Sequence, residues 1–65
     1  MKISVNGEMI ETKAETLAGL LDELGKADEK VATALNEGFV PVGQRAQTAL
    51  ANGDRVEIVA PRQGG

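Results

Sequence analysis

Thr16-Leu17-Ala18-Gly19-Leu20-Leu21-Asp22-Glu23-Leu24-Gly25 is where the chain changes period, and its reading decides the fold. Leu17, Leu20, Leu21 and Leu24 fall at i, i+3, i+4 and i+7, which lays one apolar stripe along a helix, with Ala18 beside it. Thr16 is placed to cap the N-terminus by accepting from an amide two or three residues on. Gly19 stands where a capping box would carry Glu or Gln, and it costs about 1 kcal/mol relative to Ala within a helix. Close packing there, or nearness to the first turn, has to account for it. Gly25 ends the helix in the left-handed conformation that only glycine adopts cheaply. A single stripe covers one face of one sheet, so the leucines are core and carry no function of their own.

The flanks of the helix read as strands. Met1, Ile3 and Val5 alternate with Lys2, Ser4 and Asn6, the period-2 pattern of a strand with one buried face. Because that pattern begins at Met1, no leader is expected before it. Asn6-Gly7 is a strong hairpin signal, since both residues tolerate the positive φ of a type I′ turn. Residues 8–12 then return antiparallel, with Ile10 turned to the core. After a charged connector over residues 26–30, residues 31–36 read as a strand central in the sheet. Asn36-Glu37-Gly38 turns the chain into Phe39-Val40-Pro41, a short strand that Pro41 ends or confines to an edge. Residues 44–50 offer one or two helical turns, mostly solvated by Arg45, Gln47 and Thr48. Asn52-Gly53-Asp54 is a tight turn, and residues 55–60 form the last strand, alternating until Val59 breaks the pattern.

The element order ββ-α-ββ-(short helix)-β predicts an α+β architecture. In it a mixed sheet of about five strands curls on one main helix of about nine residues, as in the β-grasp (ubiquitin-like) fold. Residues 1–60 are the expected domain and residues 61–65 a flexible C-terminal tail. Two consecutive glycines at a terminus, Gly64 and Gly65, are a roughly 0.5% event at average usage.

Composition removes most places where chemistry could occur. A chain of 65 residues is one small domain with a thin core, burying about 60% of its unfolded surface. It has no cysteine and no histidine, hence no disulfide, no thiolate nucleophile and no neutral-pH acid–base residue. Asp, Glu, Lys and Ser remain, but a domain of this size has little room for an enclosed pocket, and an enzyme is not expected. The net charge of −3 argues against nucleic acid, whose phosphates repel an acidic partner. No apolar run approaches the roughly 20 residues of a membrane span. A cytoplasmic protein is expected.

Several stretches together resemble the ubiquitin-like sulfur carriers, most closely the ThiS family of the thiamine pathway. They are Ile3-Ser4-Val5-Asn6-Gly7, the helical stretch quoted above and Val31-Ala32-Thr33-Ala34-Leu35-Asn36-Glu37-Gly38-Phe39-Val40-Pro41. Asn52-Gly53-Asp54-Arg55-Val56-Glu57-Ile58-Val59 and the terminal Gly64-Gly65 complete the set. The resemblance covers nearly the whole chain in order, and Gly-Gly after a Gly-Asp-Arg-Val-Glu-Ile strand is its most specific part. Val42 departs from the Arg that family members often carry, and Arg45 from an aromatic residue found in some.

The resemblance implies that an E1-like adenylating enzyme, similar to ThiF, uses ATP and magnesium to convert the Gly65 carboxylate to an acyl-adenylate. Sulfur from a cysteine-desulfurase persulfide then replaces AMP, leaving a thiocarboxylate that a thiazole synthase similar to ThiG consumes. The chain itself binds no cofactor on this reading. Gly64 and Gln63 thread into the partner's cleft, where glycines let the backbone approach closely. Five extended residues reach at most roughly 17 Å. Docking is expected on the sheet face that the helix leaves uncovered, with Phe39, Val42 and Arg62 as candidate contacts, although a core role for Phe39 is the stronger expectation. A carrier for molybdopterin or another sulfur route, a ubiquitin-like protein modifier and a plain protein-binding module with an inert tail are the alternatives.

Overall fold

The computed structural model describes residues 1–60, and the first hairpin forms where its turn residues place it. Strands β1 (Lys2–Val5) and β2 (Glu8–Glu11) run antiparallel with Val5 opposite Glu8. Asn6 at φ 52° and Gly7 at φ 85° supply the two positive dihedrals of a type I′ turn. Helix α1 (Leu17–Glu23) follows, shorter than the nine residues expected because Leu24 already serves as its C-cap. Thr16 Oγ1 accepts from the Gly19 amide at 3.1 Å, and Gly25 leaves the helix at φ 75°. Gly19 has its explanation here: a Cβ would lie 3.3 Å from the capping hydroxyl and 3.6 Å from Ala14 Cβ.

Strands β3 (Ala32–Leu35) and β4 (Gly38–Val40) form the second hairpin, a 3₁₀ helix spans Val42–Gln47, and β5 (Arg55–Val59) closes the sheet. The order across the sheet is β2-β1-β5-β3-β4. β5 is therefore the middle strand. The expectation of a central β3 is corrected only to that extent, since β3 still has neighbours on both sides. β1 and β5 are parallel, and every other pair is antiparallel. The helical crossover permits that parallel pairing. The outcome is the expected β-grasp architecture, a mixed five-stranded sheet with one face packed on α1.

Leu17, Leu20 and Leu21 of the helical stripe meet Ile3, Val31, Val40, Leu50, Val56 and Ile58 in one core. Thr12, Thr33 and Arg45 are buried as well. Thr33 donates to the Val40 carbonyl at 2.9 Å, and Arg45 donates from Nε to Thr33 Oγ1 at 3.0 Å and from Nη2 to the Val31 carbonyl at 2.6 Å. Arg45 is thus only 8% exposed, which corrects its solvated reading, while Gln44, Ala46, Gln47 and Ala49 around it are exposed as expected. Its guanidinium fork ties the 3₁₀ helix to Thr33 of β3 and to Val31 just before it.

β5 is also held by asparagine side chains. Asn6 donates from Nδ2 to the Ile58 carbonyl at 3.0 Å and accepts the Ile58 amide at Oδ1 at 2.8 Å. Asn36 Oδ1 accepts the Arg55 amide at 2.9 Å, while the Asn36 amide donates to the Arg55 carbonyl at 2.7 Å. Each turn asparagine thereby stands in for a missing strand residue beside β5.

Candidate functional site

β5 ends at Val59, next to Ala60, the last described residue. Burial alternates along it: Val56 and Ile58 face α1, whereas Arg55, Glu57 and Val59 face away. Register carries that outward set across the sheet. Val59 lies opposite Ala32, Glu57 opposite Ala34, and Ala34 opposite Phe39. Directly opposed residues sit about 5 Å apart at Cβ, so Val59, Ala32, Ala34 and Phe39 make one apolar patch on the face that α1 leaves open.

Phe39 is 72% exposed in that patch, which corrects the expectation of a core role. On the three-residue edge strand β4 it is Val40 that takes the inward pleat, at 8% exposure, and the neighbouring side chain must point out. Val59 is 60% exposed. Its break in alternation was the sequence signal for that outward position. Met9, 63% exposed on the outward pleat of β2, carried no such signal.

Val42, also 72% exposed, lies beyond Pro41 on the 3₁₀ helix, off the sheet. It borders a shallow groove of about 370 Å³ with Ala27, Lys30, Ala32 and Arg45. Ala32 borders both the groove and the patch, so the two candidate contact regions meet at the start of β3. Charges frame the patch at its other end, where Arg55 Nη1 lies 3.5 Å from Glu37 Oε2, both exposed. A second cleft there, between Ser4, Gly7, Glu37, Arg55 and Glu57, encloses only about 150 Å³, below the size of a usual small-molecule site. Among the described residues no group of three or more His, Cys, Asp or Glu is placed to hold a metal. Among them, too, no helix is long and apolar enough to cross a membrane. The candidate residues Arg62, Gln63, Gly64 and Gly65, and the expected flexibility of residues 61–65, lie outside the described residues.

A β-grasp domain that offers an apolar sheet face beside its last strand belongs to the ubiquitin-like class. The comparisons narrow this. The chain matches the ThiS family over residues 3–65, and it belongs to that family, whose members are small sulfur carriers rather than catalysts. Its backbone is similar to a crystal structure of the thiamine biosynthesis protein (ThiS) from Geobacter metallireducens. The TM-score is 0.83 at 29% identity, with both chains covered in full. The chain is also 44% identical over 66 residues to a thiazole synthase of Paramagnetospirillum magneticum, covering 100% of this chain and 20% of that protein. A thiazole synthase of Magnetococcus marinus is 43% identical over 60 residues, covering 91% of this chain and 18% of that one. The chain therefore spans about a fifth of the length of these curated relatives.

Proposed function

We propose that this chain carries sulfur for thiazole formation as the thiocarboxylate of Gly65. The observation that carries the reading is the family match, which runs from residue 3 through Gly64-Gly65. A carboxylate is a poor electrophile because its carbon bears delocalised negative charge. An E1-like enzyme with ATP and magnesium makes the Gly65 acyl-adenylate, and sulfur from a cysteine-desulfurase relay displaces AMP at high effective concentration. Gly64 and Gln63 pass through the enzyme's cleft, where a backbone without Cβ fits a narrow channel. The patch of Phe39, Ala34 and Val59 serves as the docking surface, with Val42 and Arg62 as further contacts. The recipient is a thiazole synthase, a reading supported by two relatives of that name that contain a similar stretch.

Incubation with a ThiF-like enzyme, Mg-ATP and a persulfide donor, followed by intact-mass measurement, tests the reading. The expected product gains the mass of one sulfur for one oxygen, confined to Gly65. Absence of both adenylate and thiocarboxylate, or appearance of conjugates to other proteins, overturns it. Deleting Gly65 abolishes the product and leaves the thermal transition unchanged.

A further inference from the structure

The sequence holds two Asn-Gly pairs, Asn6-Gly7 and Asn52-Gly53. In such a pair the glycine nitrogen, unshielded by a Cβ, can attack the asparagine carboxamide. The fold restrains the two pairs in different ways. From that difference we infer that Asn52 is the site at which the folded chain deamidates, and that Asn6 is protected until β1 separates from β5.

At Asn6 the electrophile is held. Its carboxamide donates to the Ile58 carbonyl and accepts the Ile58 amide, in a part-buried position. Freeing it strips both partners from a residue that is itself 7% exposed and packed in the core beside Val56. An opening of that size approaches global unfolding.

At Asn52 both reacting groups rest on one exposed residue. Oδ1 accepts the Lys2 amide at 2.8 Å, and the Gly53 amide donates to the Lys2 carbonyl at 2.7 Å. Lys2 is the first residue of β1 and is exposed. Lifting it frees the carboxamide and the glycine nitrogen together, and local openings of this kind cost far less than the global unfolding free energy.

The reaction then balances without any cofactor. Hydroxide removes the Gly53 amide proton, the nitrogen bonds to Asn52 Cγ, and the Cγ–Nδ2 bond breaks as water protonates Nδ2, so that ammonia leaves and hydroxide is regenerated. Water opens the resulting succinimide at either carbonyl, giving aspartate or isoaspartate at position 52 and one further negative charge. The change falls in the turn that precedes β5.

The test is incubation of the intact chain at mildly alkaline pH, folded and in urea, with peptide mapping by mass over time. In the folded chain position 52 is expected to convert at least about tenfold faster than position 6, the gap between a local and a near-global opening. In urea the two rates converge. Folded chains in which Asn6 converts as fast as Asn52 overturn the proposal. Native-state hydrogen exchange gives a second readout: the Gly53 amide exchanges faster than the Ile58 amide, and equal protection of the two overturns it as well.

Discussion

Glu37 sits at φ 74° in the β3–β4 turn, behind Asn36 at φ 50°. Both dihedrals are those of a type I′ turn, but its second position ordinarily takes glycine, and a side chain in the left-handed region costs about 1–2 kcal/mol. The ion pair of Glu37 with Arg55 is exposed and long, and such pairs contribute little. Replacing Glu37→Gly relieves the strain but raises the entropy of the unfolded chain by about 0.5–1 kcal/mol. The net expectation is a gain of about 0.5–1 kcal/mol in urea unfolding; no gain would show that the turn is unstrained. Arg45 is the opposite case, a residue whose removal is costly. Among the described residues no carboxylate pairs with it, so its charge is met by Thr33 Oγ1 and the Val31 carbonyl alone. Arg45→Ala leaves that carbonyl without its donor and is expected to cost about 2–4 kcal/mol. Arg45→Lys restores less than half of the loss because one ammonium cannot reproduce the fork. A loss below about 1 kcal/mol for Arg45→Ala would reassign the residue to the solvated surface.

At the scale of elements, α1 is fastened at both ends by side chains that periodicity does not reveal. Thr16 caps the start, as its residue type predicts. The other end depends on Glu23, where the helix dipole disfavours a carboxylate. Its two oxygens each lie 2.9 Å from the hydroxyl of buried Thr12, and Oε1 also accepts the Lys13 amide at 3.3 Å. Thr12 Oγ1 in turn accepts the Ala14 amide at 3.0 Å, so one network joins the end of β2 to the last turn of α1. Glu23→Ala is expected to cost about 1–2 kcal/mol, with Glu23→Gln recovering part of it because an amide oxygen still accepts from Thr12. Hydrogen exchange should show the loss first in the amides of α1; unchanged protection there would detach Glu23 from the helix. The hairpins, the helix and their order were legible because their signals are local: Asn-Gly pairs, alternation and the leucine spacing. The parallel β1–β5 pairing, the asparagine clamps on β5 and the Thr12–Glu23 tether arise between residues far apart in sequence, and no periodicity encodes them.

For the molecule as a whole, a thin core has a direct consequence for the site. One seven-residue helix can cover one side of five strands. On the other side the outward residues Ala32, Ala34, Phe39 and Val59 of β3, β4 and β5 leave an apolar patch beside the charged Arg55 and Glu57. Which side chains point outward follows from register alone, so Phe39 was legible as a residue of interest but not as an exposed one. Val59 announced itself by breaking alternation. Because these side chains are exposed, they contribute little to folding, and stability and docking separate at this surface. Phe39→Ser should change the unfolding free energy by less than about 0.5 kcal/mol. If the patch docks the adenylating enzyme or the thiazole synthase, the same change removes the largest apolar anchor near its centre, and such anchors dominate binding energy. Thiocarboxylate formation or sulfur transfer is then expected to fall at least about tenfold at subsaturating carrier, the equivalent of about 1.4 kcal/mol. Saturating carrier should restore most of the rate, because Gly65, the proposed site of reaction, is untouched and only association is weakened. Substituting Met9, outward on β2 and apart from the patch, serves as the control. Equal losses at Phe39 and Met9 would point to a nonspecific surface effect, and full transfer by Phe39→Ser would remove this face from the docking surface.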